Sequence, residues 1–148
     1  RPRSSTEAIR ARTGSVRSGK SSVAYCRIEP SARCTPGISA TRAATLRGAL
    51  RNQDMPCRYG GEEFVAILPN TNKAGAYSLA ERLRKDVERM VVDGLKVTIS
   101  IGVAEYPEFD VADQHELIEA ADAAMYEAKR SGRNRVCIAS NAPETNLG

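Results

Sequence analysis

Apolar residues become regularly spaced only from about residue 43, and their spacing first predicts two helices. Leu46 and Leu50 lie four positions apart, which favours a short helix over residues 43–50. A longer helix over about residues 72–92 is predicted because apolar positions recur at intervals of three and four, and Asp93-Gly94 ends it. Its inward positions are Ala76, Leu79, Ala80, Leu83, Val87, Met90 and Val91.

A third helix is predicted from Asp113 to about Arg130. Asp113 and Glu116 are spaced as a capping box, in which each side chain accepts a backbone N–H of the first turn. Gly132 is the expected C-terminal stop, since glycine readily adopts the left-handed conformation that ends helices. The inward positions are Leu117, Ala121, Ala124, Met125 and Ala128.

Strands are predicted between these helices. Residues 57–68 indicate a strand, a tight turn and a second strand, and residues 135–138 indicate a last strand. Residues 97–103 predict a strand with one apolar and one polar face, closed by Pro107. The alternating residues are Val97, Ile99, Ile101 and Val103 against Thr98, Ser100 and Gly102. Strands alternating with helices predict an α/β sandwich in which helices cover a sheet.

The first 42 residues differ in composition from the rest. They are rich in Arg, Ser, Ala, Thr, Gly and Pro, and only residues 22–28 favour a short strand, so loop or disorder is expected. Three parts are therefore predicted: an atypical basic segment over residues 1–42, a domain over 43–140 and a tail over 141–148.

Charge follows the same division. Residues 1–58 carry 12 Lys or Arg and 3 Asp or Glu, whereas residues 59–148 carry 10 and 15. A basic arm can indicate nucleic-acid binding, but this arm nearly lacks aromatic residues and its arginines follow no helical stripe. No nucleic-acid partner is therefore expected.

Length and cysteine spacing bound the class of protein. A chain of 148 residues suits one domain. No stretch is apolar enough to cross a membrane and no signal peptide is visible. The four cysteines form no CxxC pair, which favours neither a zinc site nor a disulfide framework. A reducing, cytoplasmic location is expected. These cysteines are Cys26, Cys34, Cys57 and Cys137.

The segment Arg58-Tyr59-Gly60-Gly61-Glu62-Glu63-Phe64 carries the strongest chemical signal. Its glycines allow positive φ and close approach of a ligand to the backbone. Adjacent carboxylates beside such a turn can hold a hard divalent cation, which in turn holds phosphates. A plain hairpin turn is the alternative, although it leaves the two adjacent acids unexplained.

Two further pairs of charged residues have a structural and a functional interpretation. Lys129 and Arg133 surround the end of the third helix, where the helix dipole favours cations; they could also hold phosphate. Arg51 and Asp54 lie three apart and could form a solvated ion pair or a patch that binds a purine. Arg82, on the exposed face of the second helix, is by itself an ordinary surface residue.

Several motifs in order resemble one family. Residues 43–139 resemble the C-terminal two-thirds of a GGDEF domain, the diguanylate cyclase family. The segments that carry the resemblance are RNQD (51–54), RYGGEEF (58–64), AERLR (80–84), VTISIGVAEYP (97–107) and ADAAMYEAKRSGRN (121–134). The resemblance implies a sheet covered by helices, of the nucleotidyl-cyclase palm type.

The resemblance also implies an activity. Such enzymes join two GTP into cyclic di-GMP and release two pyrophosphates, and each subunit of a homodimer holds one GTP. Gly60 and Gly61 would admit the nucleotide, and Lys129 and Arg133 would hold its distal phosphates. The metal, Mg²⁺ or Mn²⁺, would be bound by Glu62 and Glu63, with Glu62 also the catalytic base. The site at which the product cyclic di-GMP inhibits the enzyme would comprise Arg51, Asp54 and Arg82.

The N-terminal third of the family pattern is not legible. The nearest match to the strand that ends in a metal-binding aspartate is Tyr25-Cys26-Arg27-Ile28-Glu29, which places Arg27 at that position. A guanidinium there would repel Mg²⁺. Residues 1–42 would then be disordered or read from a shifted frame, and the fold is expected to lose its first helix and a central strand.

Three functions stay open at this point. The chain is a diguanylate cyclase domain with impaired turnover, a non-catalytic receptor that binds cyclic di-GMP through the RxxD site, or a fragment without stable activity.

Overall fold

The computed structural model describes residues 20–30, 44–60, 62–92, 94–106 and 114–140. Among these residues, six strands form one mixed sheet in the order β2-β3-β1-β5-β4, with β6 paired to β5. In chain order the elements are β1 (Ser21–Pro30), α1 (44–49), β2 (Met55–Arg58), β3 (Glu63–Leu68), α2 (Lys73–Glu88), β4 (Val91–Val92), β5 (Leu95–Tyr106), α3 (Gln114–Arg130) and β6 (Val136–Ile138).

Helices cover both faces of the sheet, which confirms the predicted α/β sandwich. On one face, Leu46 of α1 and Leu83 of α2 belong to a buried cluster with Cys26 of β1 and Ile101 of β5. On the other face, α3 packs on a second cluster that includes Tyr25 of β1. Burial of apolar area on two faces is the main favourable term for a domain of this size.

The central strand β1 corrects one expectation. The strand predicted over residues 22–28 is present and longer, and it pairs antiparallel with both β3 and β5. The expected loss of a central strand is therefore wrong. Small and apolar side chains alternate along β1, so Ala24 and Cys26 face α1 and α2 while Val23 and Tyr25 face α3. Burial of β1 on both faces is typical of a strand in the centre of a covered sheet.

The second predicted helix ends earlier than expected. Asn72 caps α2 by accepting the backbone N–H of Gly75 at 2.8 Å, and the helix ends at Glu88. Val91 was predicted to face inward on this helix, but it lies in β4 with 63% of its surface exposed. The prediction is wrong because a β-branched pair can extend a neighbouring sheet as readily as a helix.

The strand β5 is buried on both faces, so the prediction of one polar face is wrong. Ser100 is fully buried, and its hydroxyl has no hydrogen-bond partner among the described residues. A Cβ added to Gly102 would lie 2.0 Å from the carbonyl oxygen of Ala121 on α3. Small residues alternate along β5 because the helix backbone lies directly against them.

The remaining elements follow the predictions closely. The helix α3 ends at Arg130, its predicted inward residues are buried, and Gly132 has the positive φ of 125° that ends it. The predicted last strand is present as β6, parallel to β5. Asp113, Pro107 and the tail over 141–148 lie outside the described residues. No helix among the described residues is long and apolar enough to cross a membrane.

Candidate functional site

The turn between β2 and β3 is closed by the backbone of Glu63. Its carbonyl oxygen accepts the N–H of Tyr59 at 2.9 Å and that of Gly60 at 3.1 Å. Gly60 does not have the positive φ that was predicted for it. An added Cβ would lie 3.1 Å from Glu63 Oε2, a tight contact that the Glu63 side chain would have to relieve by a small shift. Gly61 lies outside the described residues.

The carboxylate of Glu63 is engaged from the neighbouring strand β1. Tyr25 donates its hydroxyl to Glu63 Oε2 at 3.1 Å. Arg27 Nη1 lies 3.8 Å from Glu63 Oε1, and the two residues are paired directly across the strands. About a third of each of these two charged side chains is exposed, 37% for Arg27 and 32% for Glu63. The contact is an ion pair, too long for a hydrogen bond.

Tyr25 stays a neutral donor in this setting. Burial raises its pKa well above the ordinary value, and the nearby carboxylates of Glu63 and Asp122 raise it further. Its ring also meets Tyr59 edge to face, with centroids 5.6 Å apart. The phenol therefore orients the Glu63 carboxylate throughout the ordinary pH range.

Asp122 on α3 is a nearby acid that the sequence interpretation missed. Burial raises the pKa of Asp122 and the charge of Glu63 raises it further, whereas Arg27 lowers it. The signal was present, because Asp122 lies in the ADAAMYEAKRSGRN segment one residue after the buried Ala121. Its position near Glu63 depends on how α3 crosses the sheet.

The donor set at this turn does not fit a divalent cation. Glu62 is half-buried and its carbonyl oxygen accepts the N–H of Ile28 at 3.2 Å, which ties the turn to β1. No group of three or more His, Cys, Asp or Glu within the described ranges could hold a metal ion. The guanidinium of Arg27 adds a positive charge beside Glu63, where a metal would need negative ligands.

Lys129 and Arg133 lie at the end of α3, as predicted. Lys129 is half-buried in the last turn of the helix. Arg133 is exposed, has a left-handed φ of 62° and donates its backbone N–H to Ala128 at 2.9 Å. Their joint role in binding phosphate stays a prediction.

A network that sequence reasoning missed fixes the turn after α3. Arg84 of α2 donates to Asn134 Oδ1 at 3.2 Å and to both carboxylates that flank it on its own helix. Asn134, itself at a φ of 47°, donates to Glu88 Oε1 at 2.8 Å. Arg84 lies in the AERLR motif and Asn134 in the SGRN motif, so this contact joins two motifs that are distant along the chain.

The RxxD corner is a satisfied ion pair. Arg51 donates its backbone N–H to Asp54 Oδ2 at 2.8 Å and its guanidinium to both carboxylate oxygens, at 3.3 and 3.2 Å. The Asp54 side chain is fully buried, whereas 44% of the Arg51 side chain is exposed. Arg51 also hydrogen-bonds Thr71 and lines a cleft of about 440 Å³.

Arg82 lines a different cleft, of about 580 Å³, along α2. Its guanidinium donates to the carbonyl oxygen of Ala49 at 2.7 Å and so ties α2 to the end of α1. The structure therefore gives Arg82 a structural contact and places Arg51 and Arg82 on separate clefts.

Known proteins resemble most of this chain. Residues 40–135 match the family described as diguanylate cyclase, GGDEF domain. Diguanylate cyclase A from Treponema denticola is 47% identical over 103 residues, which cover 67% of this chain and 28% of that protein. The chain thus spans less than a third of the length of this curated relative.

Solved structures confirm the fold. The active GGEEF domain of a diguanylate cyclase from Vibrio cholerae superposes with a TM-score of 0.73 at 24% identity, over 91% of this chain and 92% of that one. The GGDEF domain of DgcB from Caulobacter crescentus, solved with c-di-GMP, has a TM-score of 0.68 at 27% identity, over 92% and 85%. With a family match that extends over more than half of its residues, the chain belongs to the GGDEF domain family of diguanylate cyclases.

Proposed function

We propose that this domain binds GTP at the β2–β3 turn and condenses two GTP into cyclic di-GMP, at a rate strongly reduced by Arg27. The observation that carries the proposal is the turn itself, in which the backbone of Tyr59 and Gly60 closes on Glu63 beside the strand β1. The family match and the curated cyclase relative support the reaction type.

The residues of the turn and of α3 have distinct roles in this proposal. Gly60 and Gly61 admit the nucleotide to the backbone, and Lys129 and Arg133 bind the distal phosphates, since Lys supplies a point charge and Arg a planar pair of donors. Glu62 accepts the proton of the GTP 3′-hydroxyl. The 3′-oxygen attacks the α-phosphorus of the other GTP, the bond to the β-phosphate breaks, and pyrophosphate leaves.

The reaction requires two copies of the domain. Each GTP is both nucleophile and electrophile, so two subunits must present their nucleotides face to face in a homodimer. Diguanylate cyclases of this family generally use a divalent metal, which neutralises the triphosphate. Because Arg27 occupies the space beside Glu63, the residues of this chain fit such a metal poorly, and slow turnover follows.

Product formation tests this proposal. The purified chain is incubated with GTP and Mg²⁺, and cyclic di-GMP is measured by chromatography. We expect a trace amount of product from the parent, more from Arg27→Asp and none from Glu62→Gln. Asp86→Asn, a half-buried acid on α2, is the control and should match the parent. Absence of product from both the parent and Arg27→Asp would contradict the cyclase proposal.

A second function, a cyclic di-GMP receptor, is supported by the exposed guanidinium of Arg51. It lines a cleft with Lys20, Asn70 and Asn72, which supply polar groups suited to a phosphodiester. The expected site of Arg51, Asp54 and Arg82 would bind product without turnover. Its weakness is that Asp54 and Arg82 are already engaged in internal contacts.

Calorimetry with cyclic di-GMP tests this second function. Binding by the parent and at least tenfold weaker binding by Arg51→Ala would support it. Arg47→Ala, an exposed arginine of α1, serves as the matched control and should bind like the parent. Equal affinities for the parent and for Arg51→Ala would exclude the RxxD corner as the binding site.

A further inference from the structure

The positively charged side chain of Arg27 lies beside the acidic turn. Arg27 is paired with Glu63 across β1 and β3, and its guanidinium nitrogen Nη1 lies 3.8 Å from Glu63 Oε1. Tyr25, two residues earlier on the same face of β1, donates to the other carboxylate oxygen at 3.1 Å. Both oxygens of Glu63 are thus contacted by β1.

The position of Arg27 is fixed by the sheet. The strand β1 is paired on both sides, with β3 and with β5, so its backbone has no free edge. The N–H of the next residue, Ile28, binds the carbonyl oxygen of Glu62 at 3.2 Å, which ties Arg27 to the turn. A change of register by one residue would turn Arg27 to the other face, against the buried cluster of α1 and α2.

The guanidinium still has capacity for a ligand. With 37% of its side chain exposed, Arg27 reaches solvent at the mouth of the turn. A guanidinium has five N–H donors in one plane, and the loose ion pair with Glu63 at 3.8 Å uses few of them. Phosphate oxygens are the acceptors that fit this planar set of donors best.

We infer that the guanidinium of Arg27 takes the place of a protein-bound divalent cation, so that this chain binds the triphosphate of GTP without metal. The inference rests on the nucleotide site proposed above and adds which group neutralises the negative charge of the triphosphate there. Arg27 contacts a phosphate oxygen and Glu63 holds the guanidinium in place. A metal ion adjacent to Arg27 would meet a like charge and lack a third carboxylate ligand among the described residues.

Nucleotide binding with and without metal tests the inference. GTP is titrated into the full chain by calorimetry, once in EDTA and once in excess Mg²⁺. For the parent we expect dissociation constants that agree within about threefold, since Mg²⁺ adds no ligand of the protein. For Arg27→Asp we expect binding in EDTA to weaken at least tenfold and Mg²⁺ to restore it. Arg47→Asp makes the same charge change on α1 and should behave as the parent.

Free Mn²⁺, followed by its electron paramagnetic resonance signal, gives a readout independent of nucleotide and activity. The parent should leave the Mn²⁺ signal unchanged, whereas Arg27→Asp should reduce it by binding the ion. Arg27→Gln provides a variant without added negative charge in case Arg27→Asp fails to fold. It should lose affinity for GTP in EDTA and gain no Mn²⁺ binding.

The outcomes separate this inference from the proposed cyclase activity. The inference is overturned if Mg²⁺ raises the affinity of the parent for GTP more than tenfold, or if the parent binds Mn²⁺. Either result leaves the cyclase proposal standing. GTP binding in EDTA without any product from parent or Arg27→Asp supports the inference and contradicts the cyclase proposal. Absence of GTP binding under both conditions overturns both.

Discussion

Two arginine–carboxylate pairs in this molecule have the same chemistry but opposite settings. Arg51 and Asp54 lie three residues apart, share three hydrogen bonds of 2.8 to 3.3 Å and bury the carboxylate completely. Arg27 and Glu63 come from separate strands, lie 3.8 Å apart and are each about one third exposed. In the first pair the guanidinium is hydrogen-bonded to the carboxylate, whereas in the second the guanidinium is only loosely paired and its N–H donors can bind another acceptor.

The two pairs differ in whether the carboxylate is needed to stabilise the fold. A buried carboxylate that accepts a backbone N–H stabilises a turn, and a ligand that removed it would leave the N–H without an acceptor. A partly exposed ion pair contributes little to stability. An arginine that the sheet holds beside an acid can therefore bind a ligand at little cost to the fold. The motif resemblance assigns Arg51, Asp54 and Glu63 to ligand sites, and these assignments stay predictions.

The largest effect should come from Gly102, where β5 packs directly against the backbone of α3. Gly102→Ala places a Cβ 2.0 Å from Ala121 O and 2.3 Å from Met125 N, both backbone atoms of α3. We expect α3 to shift and the free energy of unfolding to fall by about 3 kcal/mol, measured by urea denaturation. Gly48→Ala has open space and should be neutral or stabilising by up to about 1 kcal/mol. Equal stabilities of the two variants would contradict this packing.

Asp54→Ala should have the next largest effect. It removes the acceptor of the Arg51 backbone N–H and of the guanidinium, so we expect a loss of about 2 kcal/mol in urea denaturation. Asp86→Ala, which removes a half-buried acid with a loose ion pair at 4.0 Å, is the control and should change stability by less than about 0.5 kcal/mol. If Asp54→Ala loses as little stability as the control, the carboxylate of Asp54 does not stabilise the RxxD corner and is available to a ligand.

Arg27→Ala should change stability by less than about 1 kcal/mol, because the pair with Glu63 is loose and partly exposed. Arg51→Ala is the matched comparison and should cost more, since it removes the hydrogen bonds of its guanidinium to Asp54 and Thr71. Both are measured as urea midpoints at constant slope. A greater loss for Arg27→Ala than for Arg51→Ala would reverse the contrast between the two pairs.

A third arginine network predicts a small dependence on pH. The hydrogen bond from Asn134 lowers the pKa of Glu88 below its ordinary value of 4.5, and Arg84 lowers it further. Because the folded-state pKa is depressed, the stabilising contribution is present above pH 4.5 and is lost as the pH falls through the lower folded value. The urea midpoint of the parent should therefore exceed that of Glu88→Gln at neutral pH by more than it does at pH 3. A constant difference between the two would contradict the network.

Much of the fold was predictable because local patterns determine it. The spacing of apolar residues in α3 and the glycine after it fixed that helix closely, and the turn before Glu63 was identified from two glycines between apolar runs. The end of α2 was not predictable in this way, since Val91 suits a helix and a strand equally well until β5 offers a partner.

The site was predictable in its residue types and not in its contacts. Glu62, Glu63, Lys129 and Arg133 were selected by motif, and their joint role is still a prediction. Tyr25 and Asp122 were missed because a tyrosine in an apolar strand and an aspartate on a helix have no local signal of chemistry. The resemblance assigned Arg82 to the cyclic di-GMP site of Arg51 and Asp54, which stays a prediction. In the structure Arg82 donates to the carbonyl oxygen of Ala49 and lines another cleft.

The helical faces, the acidic turn and the family could be read from the amino-acid sequence, because each depends on motifs whose residues are close along the chain. The contacts of Arg27 with Glu63 required the folded sheet. These contacts depend on the register of β1 against β3, which is set by burial of the whole strand between two helical layers. The resemblance placed Arg27 at the metal-binding position, but its direct pairing with Glu63 follows from the register, in which Val23 and Tyr25 face α3.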